Sequence, residues 1–195
     1  MLVLEPQHHA LVIERPKFEG KGSVGLAKQW RHDHVGYLDF APAELRKIYA
    51  MAKALREYGP LQRLLANPSV QIEHTVVAKT NGGVSVKARP DIRADGVIAR
   101  KPCRIVCDLK MSKADDDNAF ARSIDETGVV LQNALFHDVE LGRWGLPVHY
   151  RLIAVKSKPG RDGKHKVMDL RVTEDWIDLG RKHLGAALVA VEAER

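Results

Sequence analysis

From Pro42 to Ala66 apolar positions recur at helical spacing through Leu45, Ile48, Tyr49, Ala52 and Leu55. The pattern predicts a helix, broken at Gly59-Pro60 before Leu61, Leu64 and Leu65. The period then shortens to two. Strands are expected near 70–79, 84–90 and 104–110, the last being the β-branched, apolar run Arg104-Ile105-Val106-Cys107-Asp108-Leu109-Lys110. A helical stretch from about Asp116 to Leu141, with a break at Gly128, leads to two more strands near 148–156 and 166–172. Thr173, with Glu174 and Asp175 in the first turn, marks the start of a last helix carrying Trp176, Ile177, Leu184, Leu188 and Val191. Residues 17–39, rich in Gly, Lys and His, read as loop. The order predicts an α/β fold, a central mixed β-sheet flanked by helices on both faces. One domain is expected over 1–195, with a loop-rich segment at 1–40, helix at 42–66, sheet core at 70–172 and C-terminal helix at 173–193.

Composition narrows the classes. A chain of 195 residues can bury a sizeable core, and 45% hydrophobic with 29% charged residues excludes a disordered polymer. Lys and Arg outnumber Asp and Glu by 31 to 25, for a net charge of +6, which suits a polyanionic partner. Cys103 and Cys107 read as core thiols of a reducing cytoplasm, and two cysteines are too few for a four-cysteine iron–sulfur cluster. No apolar stretch approaches 18 residues, so no membrane association is expected.

The candidate chemistry lies at the ends of two apolar runs. Side chains alternate on a strand, so Asp108 and Lys110 share one face, roughly 6.6 Å apart, while Leu109 points to the core. The upstream run Val84 to Arg89 turns Val84, Val86 and Ala88 inward and sends Lys87, Arg89 and Asp91 to the other face. Asn81-Gly82-Gly83 and a turn around Asp95-Gly96 are expected to fold Asp91 beside Asp108. Two carboxylates so placed can hold a hard divalent cation, with the Leu109 carbonyl as third ligand. Lys110 can then reach a metal-bound water or the scissile phosphate of a phosphodiester.

From Glu73 to Phe136 the chain resembles the exonuclease VIII (RecE-type) branch of the PD-(D/E)xK nuclease superfamily. The resemblance runs through Leu64-Leu65, Glu73, Lys87-Ala88-Arg89-Pro90-Asp91, Asp108-Leu109-Lys110, Phe120-Ala121-Arg122 and Gln132-Asn133-Ala134-Leu135-Phe136. His9-Ala10-Leu11-Val12-Ile13-Glu14 and Phe18 resemble the segment with the family's active-site histidine. Val129 and Phe136 stand where the family has an aromatic pair, and Met111-Ser112 where it has two small hydroxyl residues.

The resemblance implies a catalytic set of Asp91, Asp108, Lys110, Glu73, Gln132 and His9. Asp91, Asp108, Leu109, Glu73 and His9 would hold Mg²⁺, with Mn²⁺ as its alternative. For Glu73 the other reading is a cross-strand partner of Lys87 or Arg89, and for His9 the neighbouring His8 competes. Gln132 would hold the nucleophilic water or a phosphate oxygen, and Lys87, Arg89 and Arg122 are candidates for phosphate contacts. The implied activity is 5′-to-3′ resection of double-stranded DNA, leaving a 3′ single-stranded tail for phage-type recombination. A single-strand annealing protein and a ring-shaped homo-oligomer would be the partners. A structure-specific endonuclease, or a non-catalytic DNA-binding protein on a decayed nuclease scaffold, are the alternatives.

Overall fold

The computed structural model describes residues 12–17, 19–20, 22–33, 38–80, 82–126 and 128–193. A first unit, Met1–Glu57, contains β1 (Val12–Glu14), α1 (Ser23–Asp33), β2 (Leu38–Phe40) and α2 (Pro42–Glu57). β1 and β2 pair in parallel, with Val12 opposite Leu38. α2 follows the predicted period, burying Leu45, Ala52 and Leu55, although Tyr49 is exposed. α1 corrects the reading of 17–39 as loop. Its apolar residues form no buried stripe (Val24 and Leu26 both face solvent), so periodicity could not announce it.

The second unit, Tyr58–Arg195, opens with α3 (Gly59–Leu65), separated from α2 at the expected Gly59-Pro60. It continues through β3 (Gln71–Ile72), β4 (Val76–Lys79), β5 (Ser85–Ala88), β6 (Ile92–Ile98) and β7 (Lys101–Ser112). α4 (Asp117–Glu126), α5 (Val129–Trp144), β8 (Val148–Lys156), β9 (Val167–Arg171) and α6 (Glu174–Ala193) complete it. The predicted break falls at Gly128, whose φ of 69° suits glycine. Asp116 accepts a bond from the Ala119 N–H at 2.7 Å and caps α4.

A five-stranded sheet runs in the order β3-β6-β7-β8-β9. β7 and β8 are parallel and the other pairs antiparallel. Val106, Tyr150, Leu152, Ala154 and Met168 share one face and pack with Phe120 and Ile124 of α4, Val130 and Val139 of α5 and Ile177 of α6. On the other face Tyr58, at the start of α3, donates to Asp169 at 2.8 Å, and Cys103 and Cys107 are buried free thiols. The fold is therefore the expected mixed sheet with helices on both sides.

Two local expectations need correction. β5 does not lie beside β7. It forms a separate hairpin with β4, where Val77 stands opposite Lys87. Pro90 has no N–H to give a ladder, so one strand ends before it and a new one, β6, starts after Asp91. The turn between β6 and β7 is Ala99-Arg100, both at positive φ (50° and 64°), rather than Asp95-Gly96. Asp95 and Gly96 sit inside β6, opposite Arg104 and Cys103. At Gly96 a Cβ would lie 2.5 Å from Ile105 Cδ1, so any other residue there requires Ile105 to turn aside.

α5 is fixed over the sheet by a buried ion network. Glu140, fully buried, accepts from Arg93 Nη1 at 2.8 Å, and Arg104 reaches Asp95 at 2.9 Å. Trp144 stacks on both arginines, its ring 4.6 Å from Arg104 and 5.8 Å from Arg93. α6 crosses α5 at Gly180, where a Cβ would be 2.1 Å from the Val130 carbonyl oxygen and 2.8 Å from Ala134 Cβ. A backbone oxygen cannot swing aside as a side chain can. Gly180→Ala should therefore cost about 1–3 kcal/mol, read as a lower urea midpoint. An unchanged midpoint would mean that the two helices separate freely.

Candidate metal centre

Register assembles the acids. Ile92 pairs with Cys107, so Asp91, one residue earlier, comes level with Asp108. The Leu109 N–H donates to Asp91 Oδ2 at 2.6 Å, which turns that carboxylate toward β7. Within an extended strand the N–H and C=O of one residue point the same way, so the Leu109 carbonyl is aimed into the same gap. Asp91 and Asp108 thus come together as expected, although β6 rather than β5 delivers Asp91.

The face on which Asp108 lies is not open. It carries the main apolar cluster further down the strand, and Asp108 is only 3% exposed. Burial, and next the charge of Asp91, push the Asp108 carboxyl up to about 6, against the lowering effect of Lys110. Lys110 Nζ forms an ion pair with Asp108 Oδ2 and donates to Gln132 Oε1 at 3.0 Å. Asp108 Oδ2 is buried, and the Lys110 ammonium is its charge partner. α5 brings Gln132 to this place because its next turns are held by the Glu140 network.

Glu73 follows β3 at a left-handed φ of 49°, its N–H donating to the Asp91 carbonyl at 2.9 Å. Its carboxylate lies 3.9 Å from Arg89 Nη1, although Glu73 and Arg89 both stand just past the ends of strands that do not pair with each other. Lys87 and Arg122 are exposed, on β5 and α4, and neither has an ion pair among the described residues. His9, with His8, lies outside the described residues. Tyr150 gave no functional signal in the sequence beyond its place in an alternating strand. It is buried on the Asp108 face with no partner for its hydroxyl among the described residues, and burial followed by the Asp108 charge raises its pKa. Asn133, beside Gln132, is likewise buried with both amide atoms unpaired among the described residues.

Among the described residues no three of His, Cys, Asp and Glu gather closely enough to hold a metal by themselves. Two crowded carboxylates and a carbonyl are nonetheless an oxygen-only donor set. They fit a small hard cation that completes its shell with water and substrate phosphate. Asp108 buried beside Asp91 points the same way, since two crowded carboxylates face the single ammonium of Lys110.

No protein-family model matches the chain, and no curated protein does. Among solved structures, the crystal structure of a "putative exonuclease" from Eubacterium rectale matches with a TM-score of 0.62 and 12% identity, over 99% of this chain and 67% of that one. The structure of SSO0001 matches at a TM-score of 0.37 and 14% identity over 95% of this chain and 84% of that one, too low to bear on the fold. At 12% identity the first likeness speaks for the fold alone. The chain, a mixed sheet between helices, shares its fold with that protein.

Proposed function

We propose that this protein is a Mg²⁺-dependent deoxyribonuclease that degrades duplex DNA from its ends. The observation that carries the reading is the group Asp91, Asp108 and Lys110, with Lys110 held between Asp108 and Gln132. The nuclease-like fold supports it, and so does the net charge of +6. The motif resemblance, rather than the fold, favours the exonuclease VIII branch, with resection to a 3′ tail, an annealing partner and a ring-shaped assembly.

Bound Mg²⁺ would polarise the scissile phosphate and make its water a stronger nucleophile. Asp91 and Asp108 would hold it, with Asp91 kept in place by the Leu109 N–H. Lys110 would place its ammonium at the attacked phosphate, where negative charge grows in the transition state. Gln132 would keep that ammonium oriented when the cation draws Asp108 away from it.

Linear and covalently closed circular duplex, incubated with protein in Mg²⁺ or EDTA, test the proposal. Linear DNA should disappear in Mg²⁺, closed circles should survive, and EDTA should stop the loss. Rapid nicking of closed circles would make it an endonuclease. Intact DNA in both Mg²⁺ and Mn²⁺ would leave the non-catalytic scaffold.

A further inference from the structure

The connection from β8 to β9 carries a charge pattern that the candidate metal centre does not use. Residues 156–166 hold five Lys and Arg and one acid, Asp162. The segment leaves the sheet at the same end as the carboxylates. Lys110 pairs with Ala154 and Ser112 with Lys156, and the Ser157 N–H donates to the Ser112 carbonyl at 2.7 Å. Lys156 therefore lies on the strand face that bears Asp108 and Lys110. Asp108 stands level with Leu152, so the base of the loop at Lys156 is roughly 13 Å further along the strand, the rise of about four base pairs of B-form DNA.

This loop is built, not slack. Buried His165 makes a 2.7 Å contact from Nδ1 to the Lys156 carbonyl and closes the base. The Gly160 N–H donates to the Lys164 carbonyl at 2.8 Å, Asp162 accepts from the Lys164 N–H at 3.0 Å, and Gly163 turns at φ 76°. Lys156 pairs with Asp115, and Lys166 donates to the Asp115 carbonyl at 3.4 Å. Lys158, Arg161 and Lys164 are left exposed, with no ion pair among the described residues. Three cations thus stand on a hydrogen-bonded frame at the end of the sheet beyond the acids.

Resting on the deoxyribonuclease reading, we propose that the 156–166 loop is a phosphate clamp, in which Lys158, Arg161 and Lys164 grip the duplex DNA backbone about four base pairs from the cleaved bond. The segment contains no Phe, Tyr or Trp, and its one imidazole, His165, is buried, so it offers no platform on which unpaired bases could stack. That favours a duplex over a single strand, and backbone contact over sequence readout.

The test is binding of a labelled duplex and a labelled single strand in Ca²⁺ across a salt series, with wild-type protein and K158E/R161E/K164E. A neutral triple substitution, K158Q/R161Q/K164Q, is the second variant should charge reversal disturb folding. Wild-type protein that shows no salt-dependent duplex binding would overturn the deoxyribonuclease reading itself. Where the wild type binds, the variants should lose at least tenfold in duplex affinity. Their slope of log affinity against log salt should be shallower by about 2 to 3, as three phosphate contacts require. Equal affinity and slope in variant and wild type would overturn the clamp while leaving the nuclease in place. So would a loss confined to the single strand.

Discussion

Asp108→Asn should abolish DNA cleavage and at the same time make the protein more stable at pH 8. The loss of activity follows from removing a charged ligand of the proposed Mg²⁺ site. A fall of at least about 10²–10³-fold is expected, the scale of one preorganised electrostatic group. The gain in stability follows from the environment of Asp108. Its carboxyl is raised from 3.8 to about 6 by burial and then by Asp91, so the folded protein holds this proton more tightly than the unfolded chain does. The stability lost to Asp108 ionisation therefore grows as pH rises from about 4 to 6, and is lost in full above that. Asparagine cannot ionise and avoids the cost, on the order of 3 kcal/mol at pH 8 and vanishing near pH 4. Lost attraction to Lys110 works the other way, but the raised pKa shows that burial and Asp91 outweigh it. Urea unfolding in EDTA at both pH values reads the difference. A variant no more stable than wild type at pH 8 would refute the crowded-carboxylate account. Added Mg²⁺ should stabilise wild type more than the variant, since a ligand stabilises the state it binds.

Lys110→Ala should separate catalysis from binding. Both carboxylates remain, so divalent ion and DNA should still bind. What goes is an ammonium that matters more in the transition state than in the ground state. Single-turnover cleavage should fall roughly 10²-fold or more, with duplex affinity in Ca²⁺ little changed, because one lysine is a small share of the phosphate contacts. The structure adds a second signature. Lys110 is the cation that lowers the Asp108 pKa, so its removal should move the acid limb of the pH–rate profile upward. That shift reports the contact of Lys110 with Asp108, while the fall in rate reports its part in catalysis. Equal loss of rate and affinity would sink the catalytic role.

Much of the architecture was legible because its signals are local. Gly59-Pro60 and Gly128 break helices through properties of their own backbones, and the period of the chain changes from helical to alternating where the sheet begins. Asp108 and Lys110 share a face because alternation on any strand puts them there. By contrast, α1 carried no apolar stripe to announce it, and Ala99-Arg100 has no turn-forming composition, whereas Asp95-Gly96 has one and lies within β6. The hairpin is held in its register by the pairing of β6 with β7 over Ile92 to Ile98, which outweighs local turn preference.

For the candidate site the division is similar. The sequence by itself determined which residue types were available: two acids, a lysine and a glutamine, on elements it largely placed. Only the tertiary structure decided that Asp91 arrives on β6, that Asp108 is buried enough to hold its proton to about pH 6, and that Gln132 meets Lys110. It also decided that Glu73 turns toward Arg89 and that Glu140 anchors α5 between Arg93 and Arg104. Side-chain direction is set by neighbours along the chain and can be read from it. Burial, register and charge pairing join residues far apart in sequence, and they exist only once the strands have chosen their partners.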